Sequence, residues 1–332
     1  MVTTKTRTHL LLSFDPDKAG LAQIAAAIGD AADIVTLPGL DPPARRDALA
    51  GAAVLLTRNT DRELTAGDRA LLAGATLIQF VSAGIDFIPI GDLPPGVPVA
   101  SNAGAYSAPM AEHALAMALA AAKRLLPEHA ALLRGEFNQV ASNRMLAGMT
   151  AGIVGFGGIG QATARLMRAI GLRIHAINRS GRTAEPVDWI GTTADLDTLL
   201  AASDILVVSI PLTRATAGLI GARELGLMKS DAILVNLARG EIIDEAALFA
   251  HLQAHPGFTA CLDAWWIEPV RHGRFAMDLP FLTLPNVIGS PHNSASVPST
   301  GPEGLRLAAE NCRRALRGEP VRNLVTDADR YL

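Results

Sequence analysis

Short, continuously apolar runs recur through the first hundred residues, separated by Ala- and Leu-rich segments with helical spacing. A run without polar alternation is typical of a strand that is covered on both faces of a parallel sheet. The pattern predicts four such strands: His9–Phe14, Ala53–Thr57, Leu77–Val81 and Val97–Ser101. Because helical patterns such as Leu21–Ile28 and Asp68–Ala73 alternate with these strands, we expect a first α/β domain.

A long helical pattern follows Pro109 and continues to about Leu126, since proline is tolerated in the first turn of a helix. The more polar stretch Pro127–Asn143 leaves two interpretations open, a linker or a protruding arm. A second alternation of strands and helices begins at Ala151 and predicts another parallel α/β domain. Its strands are expected at Ala151–Val154, Leu172–Ile177, Ile205–Ser209, Ala232–Asn236, Thr259–Asp263 and Asn286–Gly289. Helices are expected at Gly158–Ile170, Glu245–His255 and, closing the chain, Glu303–Arg317.

The composition favours two folded domains. The chain has 332 residues, which is too many for one small core. Of these residues, 49% are hydrophobic and 18% are charged, which excludes an intrinsically disordered chain. A formal net charge of −3 gives no electrostatic reason to expect nucleic acid or a membrane as a partner. The apolar stretch 114–122 is too short to span a bilayer, and the N-terminal segment lacks a signal-peptide cleavage site. With only Cys261 and Cys312, and no cluster with metal-ligand spacing, we expect a cytoplasmic protein without a metal.

A glycine-rich turn stands between the strand at Ala151 and the helix that follows it. The first glycine of such a turn permits tight bending, the second lets the backbone approach a pyrophosphate, and the third lets the helix pack on the strand. N–H groups at the helix start then bind anionic oxygens. The strand and helix around the motif favour dinucleotide binding over a purely structural turn. The expected cofactor contacts are Gly155, Phe156, Gly157, Gly158, Ile159 and Gly160.

The end of the next strand indicates which dinucleotide is bound. A carboxylate there binds the ribose hydroxyls of NAD, but this chain has Asn178, Arg179 and Ser180, with Arg182 close behind. Arginine clamps a phosphate with paired N–H groups, and Asn and Ser can donate to one. The sequence therefore favours NADP, while a solvated basic turn that accepts NAD stays open.

Further motifs complete a family pattern. They are PLTRATAGLIG from Pro211, NLARG from Asn236, CLDAWWIEP from Cys261 and SPHNS from Ser290. VSAGID, SNAG and AEHALAMALAAAKRL occur earlier in the same order. Together with GFGGIG these segments resemble the D-isomer-specific 2-hydroxyacid dehydrogenases over nearly the whole chain, and glyoxylate and hydroxypyruvate reductases in particular.

The resemblance implies three catalytic residues, Arg239, Glu268 and His292. A guanidinium can hold a substrate carboxylate and polarise the neighbouring carbonyl. An imidazole gives a proton to the carbonyl oxygen in reduction and takes it back in oxidation, and a carboxylate partner orients its ring. Taken singly, Arg239 is also compatible with a surface ion pair, Glu268 with a structural role and His292 with a loop position. The other seven histidines are expected to be structural.

The resemblance also assigns binding residues. Ala83 and Gly84 match the loop whose N–H groups hold the substrate carboxylate, together with Arg239 and His292. Further cofactor contacts are implied at Ile210, Pro211, Thr216, Leu237, Ala238 and Asp263, the last through the carboxamide. The chain departs from the family at Trp265 and Trp266, whose indoles can wall the substrate site, pack on the histidine or meet a partner subunit.

The implied fold is α/β, with two doubly wound parallel-sheet domains. A Rossmann dinucleotide-binding domain, residues 102–295, is inserted into a flavodoxin-like substrate-binding domain, residues 1–101 and 296–332. The helix from Pro109 and the chain to about Met149 match the family's dimerisation region, so a homodimer is expected. The chain end at Leu332 argues against the longer phosphoglycerate dehydrogenase form.

The expected function is hydride transfer between a nicotinamide cofactor, NADPH favoured, and a small 2-oxo acid such as glyoxylate or hydroxypyruvate. Glu268 argues against a formate dehydrogenase, in which no oxygen has to be protonated. The alternative from another class is a dinucleotide-sensing, corepressor-like binding protein on the same fold. The sequence has no motif for docking a peptide or DNA.

Overall fold

A computed structural model describes residues 9–326 of the chain. The first eight residues, which belong to the N-terminal segment considered for a signal peptide, lie outside the described residues. So do residues 327–332, the end of the expected substrate-binding domain.

Twelve strands occur within the described residues, and the central strands of both sheets are largely buried because they carry apolar runs. They are β1 (His9–Leu12), β2 (Asp33–Thr36), β3 (Ala52–Thr57), β4 (Leu77–Phe80), β5 (Val99–Ala100), β6 (Thr150–Val154), β7 (Arg173–Ile177), β8 (Trp189–Gly191), β9 (Ile205–Val208), β10 (Ile233–Asn236), β11 (Thr259–Leu262) and β12 (Val287–Gly289).

The same part of the chain forms twelve α-helices. They are α1 (Lys18–Ile28), α2 (Pro42–Gly51), α3 (Thr60–Glu63), α4 (Ala66–Leu71), α5 (Ser107–Ala122), α6 (Leu125–Leu133), α7 (Gly158–Ala169), α8 (Leu196–Ala202), α9 (Ala222–Leu227), α10 (Glu245–Ala254), α11 (Pro269–His272) and α12 (Thr300–Leu316).

The chain divides into two compact units, one formed by Met1–Tyr106 and Val297–Leu332 and the other by Ser107–Ser296. In the first unit the strands follow the order β2-β1-β3-β4-β5, and every pair is parallel. This is the flavodoxin-like order. Apolar clusters line both faces of the sheet, and α1 and α12 cover one of them.

In the second unit the order is β12-β11-β10-β9-β6-β7-β8, again all parallel. Its first six strands in chain order have the Rossmann arrangement, extended by one strand. The strands β7 and β8 are added on one side of β6, and the strands from β9 onward on its other side. Ligands of open α/β sheets bind where the strand order reverses in this way, here between β6 and β9. The α/β fold with two doubly wound parallel sheets is therefore confirmed. The assignment of one unit to the substrate and the other to the dinucleotide stays a prediction.

The structure differs from the expected elements at two edge strands and at the end of the long helix. Strands β2 and β8 were not predicted, because both lie at a sheet edge and carry no continuous apolar run. The long helix begins at Ser107 and ends at Ala122, short of Leu126, since Arg124 takes a left-handed conformation with φ of 51° and starts a new helix, α6. Part of the segment interpreted as a linker or arm is therefore helical.

Candidate active site

The glycine turn lies between β6 and α7, at the carboxyl end of the strand. Gly155 has φ of 95°, and a Cβ there would lie 2.5 Å from Cγ2 of Ile210. A Cβ on Gly160 would lie 2.2 Å from the carbonyl oxygen of Gly155, so this glycine lets the helix pack against the turn. Both glycines are required by the fold itself.

Gly157 is different, since a Cβ at this position would meet no atom within 4 Å other than those of its chain neighbours. The fold therefore does not demand a glycine here, whereas close approach of a ligand to the backbone would. Gly157 is also the N-cap of α7 and supplies no side chain to the free N–H groups of the helix start. Gly158, Ile159 and Gly160 carry those groups. The turn thus fits the pyrophosphate of a dinucleotide.

The segment after β7 is a tight turn built by Asn178. Its Oδ1 accepts hydrogen bonds from the N–H groups of Ser180 and Gly181, at 3.0 and 2.7 Å, and its Nδ2 donates to the carbonyl of Arg182 at 2.9 Å. The side chain of Asn178 thus shapes the turn, and Arg179 is exposed on it. Residues 178–182 contain two arginines and no carboxylate.

The loop after β9 follows the same edge of the sheet. Ser209 Oγ donates to the carbonyl of Gly155 at 2.9 Å and so joins this loop to the glycine turn, next to Ile210. Thr216 Oγ1 donates to the carbonyl of Pro211 at 2.7 Å and closes the loop. Leu237 and Ala238, after β10, are buried with 1% and 6% of their surface exposed.

Arg239 follows β10 and is half-buried. Its guanidinium donates from Nη1 to the carbonyl of Ala238 at 2.7 Å. Gly240 comes next, and a Cβ there would lie 2.4 Å from the backbone carbon of Trp265 and 2.5 Å from the nitrogen of Trp266. The glycine therefore lets the segment after β11, which carries Glu268, pass directly over the segment that carries Arg239.

Glu268 and His292 form a hydrogen-bonded pair. Nδ1 of His292 lies 2.7 Å from Oε2 and 2.9 Å from Oε1 of Glu268. Because a carboxylate only accepts, Nδ1 carries a proton, and Nε2 is the nitrogen that exchanges protons with other groups. Within residues 9–326, no hydrogen bond involves Nε2, and the side chain is 32% exposed.

The environment of Glu268 keeps it ionised. Only 8% of the residue is exposed, and burial by itself would raise its pKa. The hydrogen bond and charge of His292, the N–H of Trp265 at 2.7 Å and the charge of Arg239 outweigh this, so the pKa of Glu268 is lowered. The three predicted catalytic residues therefore interact electrostatically around one buried carboxylate.

The backbone of His292 is unusual, with φ of 51° in the left-handed region. Such conformations persist where the surroundings fix them, and they cluster at functional sites. Here the fully buried Asp263 accepts hydrogen bonds from the two N–H groups that follow His292, from Asn293 at 3.1 Å and from Ser294 at 3.3 Å.

The two tryptophans pack into the second unit. Nε1 of Trp265 donates to the carbonyl of Ser290 at 2.8 Å, and its ring meets Phe275 edge-on. Nε1 of Trp266 donates to the carbonyl of Ile243 at 2.8 Å, and its ring stacks on Phe281. The indole of Trp265 is thereby tied to the segment that carries His292. The three interpretations left open by the sequence stay predictions.

The structure brings together Arg239, Glu268 and His292, and it places the predicted cofactor residues after neighbouring strands of one sheet. Ala83 and Gly84 belong to the other unit, in the segment after β4. Sequence reasoning missed Gly240, whose signal was its place directly after Arg239. The contact of the His113 ring with Ser290 Oγ, at 3.0 Å, was not predicted either. A lone histidine on a helix gives no signal of such a contact.

No helix within residues 9–326 has both the length and the apolar content needed to cross a bilayer. In the same range, no group of three His, Cys, Asp or Glu side chains is arranged to hold a metal ion.

Comparison with known proteins gives a consistent result. The chain is 35% identical to D-3-phosphoglycerate dehydrogenase of Archaeoglobus fulgidus over 232 residues, which are 69% of this chain and 43% of that protein. It is 32% identical to glyoxylate reductase of Thermococcus litoralis over 284 residues, 82% of each chain. This chain thus spans less than half the length of the Archaeoglobus relative.

A solved structure agrees with these relatives. The D-isomer specific 2-hydroxyacid dehydrogenase from Xanthobacter autotrophicus Py2, in complex with NADPH and MES, superposes with a TM-score of 0.77 at 25% identity. The alignment covers 96% of this chain and 98% of that one. The model of the family described as D-isomer specific 2-hydroxyacid dehydrogenase, NAD binding domain, matches residues 115–294, more than half of the chain. The chain belongs to the family of D-isomer specific 2-hydroxyacid dehydrogenases.

Proposed function

We propose that the protein is a reductase of small 2-oxo acids, forming D-2-hydroxy acids with NADPH as the favoured cofactor. The observation that carries this proposal is the buried carboxylate of Glu268, which is hydrogen-bonded to His292 and interacts electrostatically with Arg239. A cation and a proton-carrying imidazole beside one another suit a substrate that has both a carboxylate and a carbonyl.

Each of these side chains has a distinct task. Arg239 binds the substrate carboxylate and draws electron density from the adjacent carbonyl. His292, protonated on both ring nitrogens, gives the Nε2 proton to the carbonyl oxygen and becomes neutral. Glu268 keeps the Nδ1 proton in place and compensates the imidazolium charge. When bound, a reduced nicotinamide supplies the hydride that the carbonyl carbon receives.

The preference for NADPH is supported by the turn of residues 178–182. Its two arginines attract a 2′-phosphate, and a carboxylate that would repel the phosphate is missing from the turn. The Xanthobacter structure holds NADPH. NAD is the second candidate for the cofactor, because a solvated basic turn can accept either dinucleotide.

The pair of Glu268 and His292 favours an oxygen-protonating reaction over formate oxidation. Formate loses a hydride and leaves carbon dioxide, so no proton moves on or off an oxygen. A dinucleotide sensor, the alternative from another class, needs the glycine turn but no proton-carrying pair. In this chain the pair includes a buried carboxylate, and burial of a charged group is unfavourable in free energy. A sensor would gain nothing that offsets this desolvation.

The substrate is tested by following NADPH oxidation at 340 nm with glyoxylate, hydroxypyruvate, pyruvate and 3-phosphohydroxypyruvate. We expect turnover with glyoxylate or hydroxypyruvate, in line with the name of the Thermococcus relative. Preference for the phosphorylated acid would instead point to the activity named for the Archaeoglobus relative. Tight NADPH binding without turnover of any 2-oxo acid would favour the sensor.

A homodimer is part of the proposal. Large apolar side chains are exposed along α6 and the segment after it, between 47% and 90% of their surface: Leu125, Leu126, Leu132, Leu133, Phe137, Val140 and Met145. Monomers rarely expose so many in one segment of chain. A second copy of this segment is the occupant that we propose. The two buried, unbridged cysteines suit a reducing compartment, so we propose the cytoplasm as its location.

A further inference from the structure

Helix α5 packs along β11 and brings His113 to the end of that strand. The thiol of Cys261 donates to the carbonyl of Met117 at 3.6 Å, and burial raises the pKa of this thiol to about 12, so it keeps its proton. Met117 and His113 lie one helical turn apart on the same face of α5. His113 thus reaches the position of Asp263, the first residue after β11.

Ser290 connects His113 to Asp263. Ser290 Oγ lies 2.5 Å from Oδ1 of Asp263 and 3.0 Å from Nε2 of His113. A serine has one proton to give, and the short distance to a carboxylate is typical of a charge-assisted O–H donor. Since Ser290 donates to Asp263, it must accept from His113. The direction of the hydrogen bonds is therefore fixed, and Nε2 of His113 carries a proton.

This chain of hydrogen bonds ends on the segment that holds His292. Oδ1 of Asp263 also accepts from the N–H of Asn293, and Oδ2 accepts from the N–H of Ser294. On the other side of His292, the carbonyl of Ser290 accepts from Trp265. His292 sits between these two anchors with its φ of 51°. Both oxygens of Asp263 are thus committed to the segment, in addition to the carboxamide contact that the family resemblance implies.

We propose that His113 is a positioning residue for His292. It acts through Ser290 on Asp263. The Asp263 carboxylate fixes the left-handed backbone of His292, and this backbone sets the direction of the imidazole. The expected loss of turnover rests on the proposed function, whereas the expected change in the position of His292 is independent of any substrate. Displacement of a catalytic group by about 1 Å can lower the rate of an enzyme by as much as about a hundredfold.

The test compares His113→Leu, which removes the donor, with His113→Gln, which places an amide N–H near the position of Nε2. We expect His113→Leu to lower kcat between about tenfold and a hundredfold, with Kd for NADPH unchanged. His113→Gln should recover most of kcat. His175→Leu is the matched control, because this half-buried histidine of β7 packs on Trp189, away from the histidine segment.

A second readout needs no turnover. With ¹⁵N-labelled histidine, long-range ¹H–¹⁵N NMR should show a proton on Nε2 of His113. The ring signals of His292 should shift in His113→Leu, return in His113→Gln and stay in place in His175→Leu. Unchanged His292 signals in His113→Leu would overturn the inference, and so would a loss of kcat that glutamine does not rescue and that parallels a drop in Tm. If the wild type reduces no 2-oxo acid, the proposed function is wrong, and the NMR comparison still decides the role of His113.

Discussion

Nδ1 of His292 lies 2.7 Å from Oε2 of Glu268, and the imidazole belongs to a residue with a left-handed backbone. The carboxylate thereby dictates which ring nitrogen is free to exchange a proton. A histidine that only packed or capped a loop would not need a buried carboxylate on Nδ1.

Replacing His292 tests this assignment directly. We expect His292→Gln to lower kcat for the 2-oxo acid by about 10²- to 10⁴-fold, since a positioned general acid contributes about that much. Kd for NADPH, measured by fluorescence titration, should stay within twofold of the wild type. If affinity for NADPH fell as far as kcat, His292 would have a structural role.

Glu268 makes a prediction about stability and pH. Its pKa is lowered in the folded protein, below the ordinary 4.5, so the folded state binds fewer protons than the unfolded state in this range. The stabilisation is complete above pH 4.5 and is lost as the pH falls through the lowered pKa. In Glu268→Gln, the free energy of unfolding should therefore fall less steeply with acid than in the wild type, as measured by urea denaturation at a series of pH values.

His292→Gln serves as the partner variant in that experiment. The lowering of the Glu268 pKa depends mainly on the hydrogen bond and charge of His292, acting against burial. Removal of the imidazole should therefore also flatten the dependence on pH. Wild-type steepness in both variants would show that this pair does not control the acid response.

Two glycines of the turn are expected to serve different purposes, Gly157 for ligand binding and Gly160 for folding. Gly157→Ala adds a methyl group with only its chain neighbours within 4 Å, so Tm should fall only slightly, by the preference of an N-cap for glycine over alanine. NADPH binding should weaken at least tenfold, because the methyl group occupies the approach of the pyrophosphate. Gly160→Ala is the matched control, since its methyl group meets the carbonyl of Gly155 and should cost about 1–3 kcal/mol of stability. Equal effects of the two substitutions on Tm would refute this division of roles.

Much of the site was predictable because its elements are local. The glycine turn is a contiguous motif with a strand before it and a helix after it, and Arg239, Glu268 and His292 each follow a strand that carries an apolar run. The edge strands β2 and β8 escaped prediction because they lack that run. The contacts of Gly240 with Trp265 and of His113 with Ser290 join segments far apart in the chain, and a sequence pattern carries no information on such distances.

The turn after β7 tests the cofactor preference. Arg179→Ala should raise KM for NADPH about tenfold or more and leave KM for NADH nearly unchanged, since only NADPH has the 2′-phosphate. Steady-state kinetics at 340 nm with both cofactors measures the difference. Equal effects on the two cofactors would mean that Arg179 acts on the turn that Asn178 builds instead of on the phosphate.

The exposed apolar segment predicts the oligomeric state. Leu133 and Val140 are 77% and 90% exposed, so burying them against a second copy removes a large apolar area from water. Sedimentation velocity should show a dimer for the wild type and a monomer for the double variant Leu133→Glu, Val140→Glu, because burying two carboxylates in an apolar interface is costly. Leu21→Glu is the control, as Leu21 is a 39% exposed apolar residue on α1 of the other unit. A monomeric wild type, or a double variant that stays dimeric, would assign this segment to another partner.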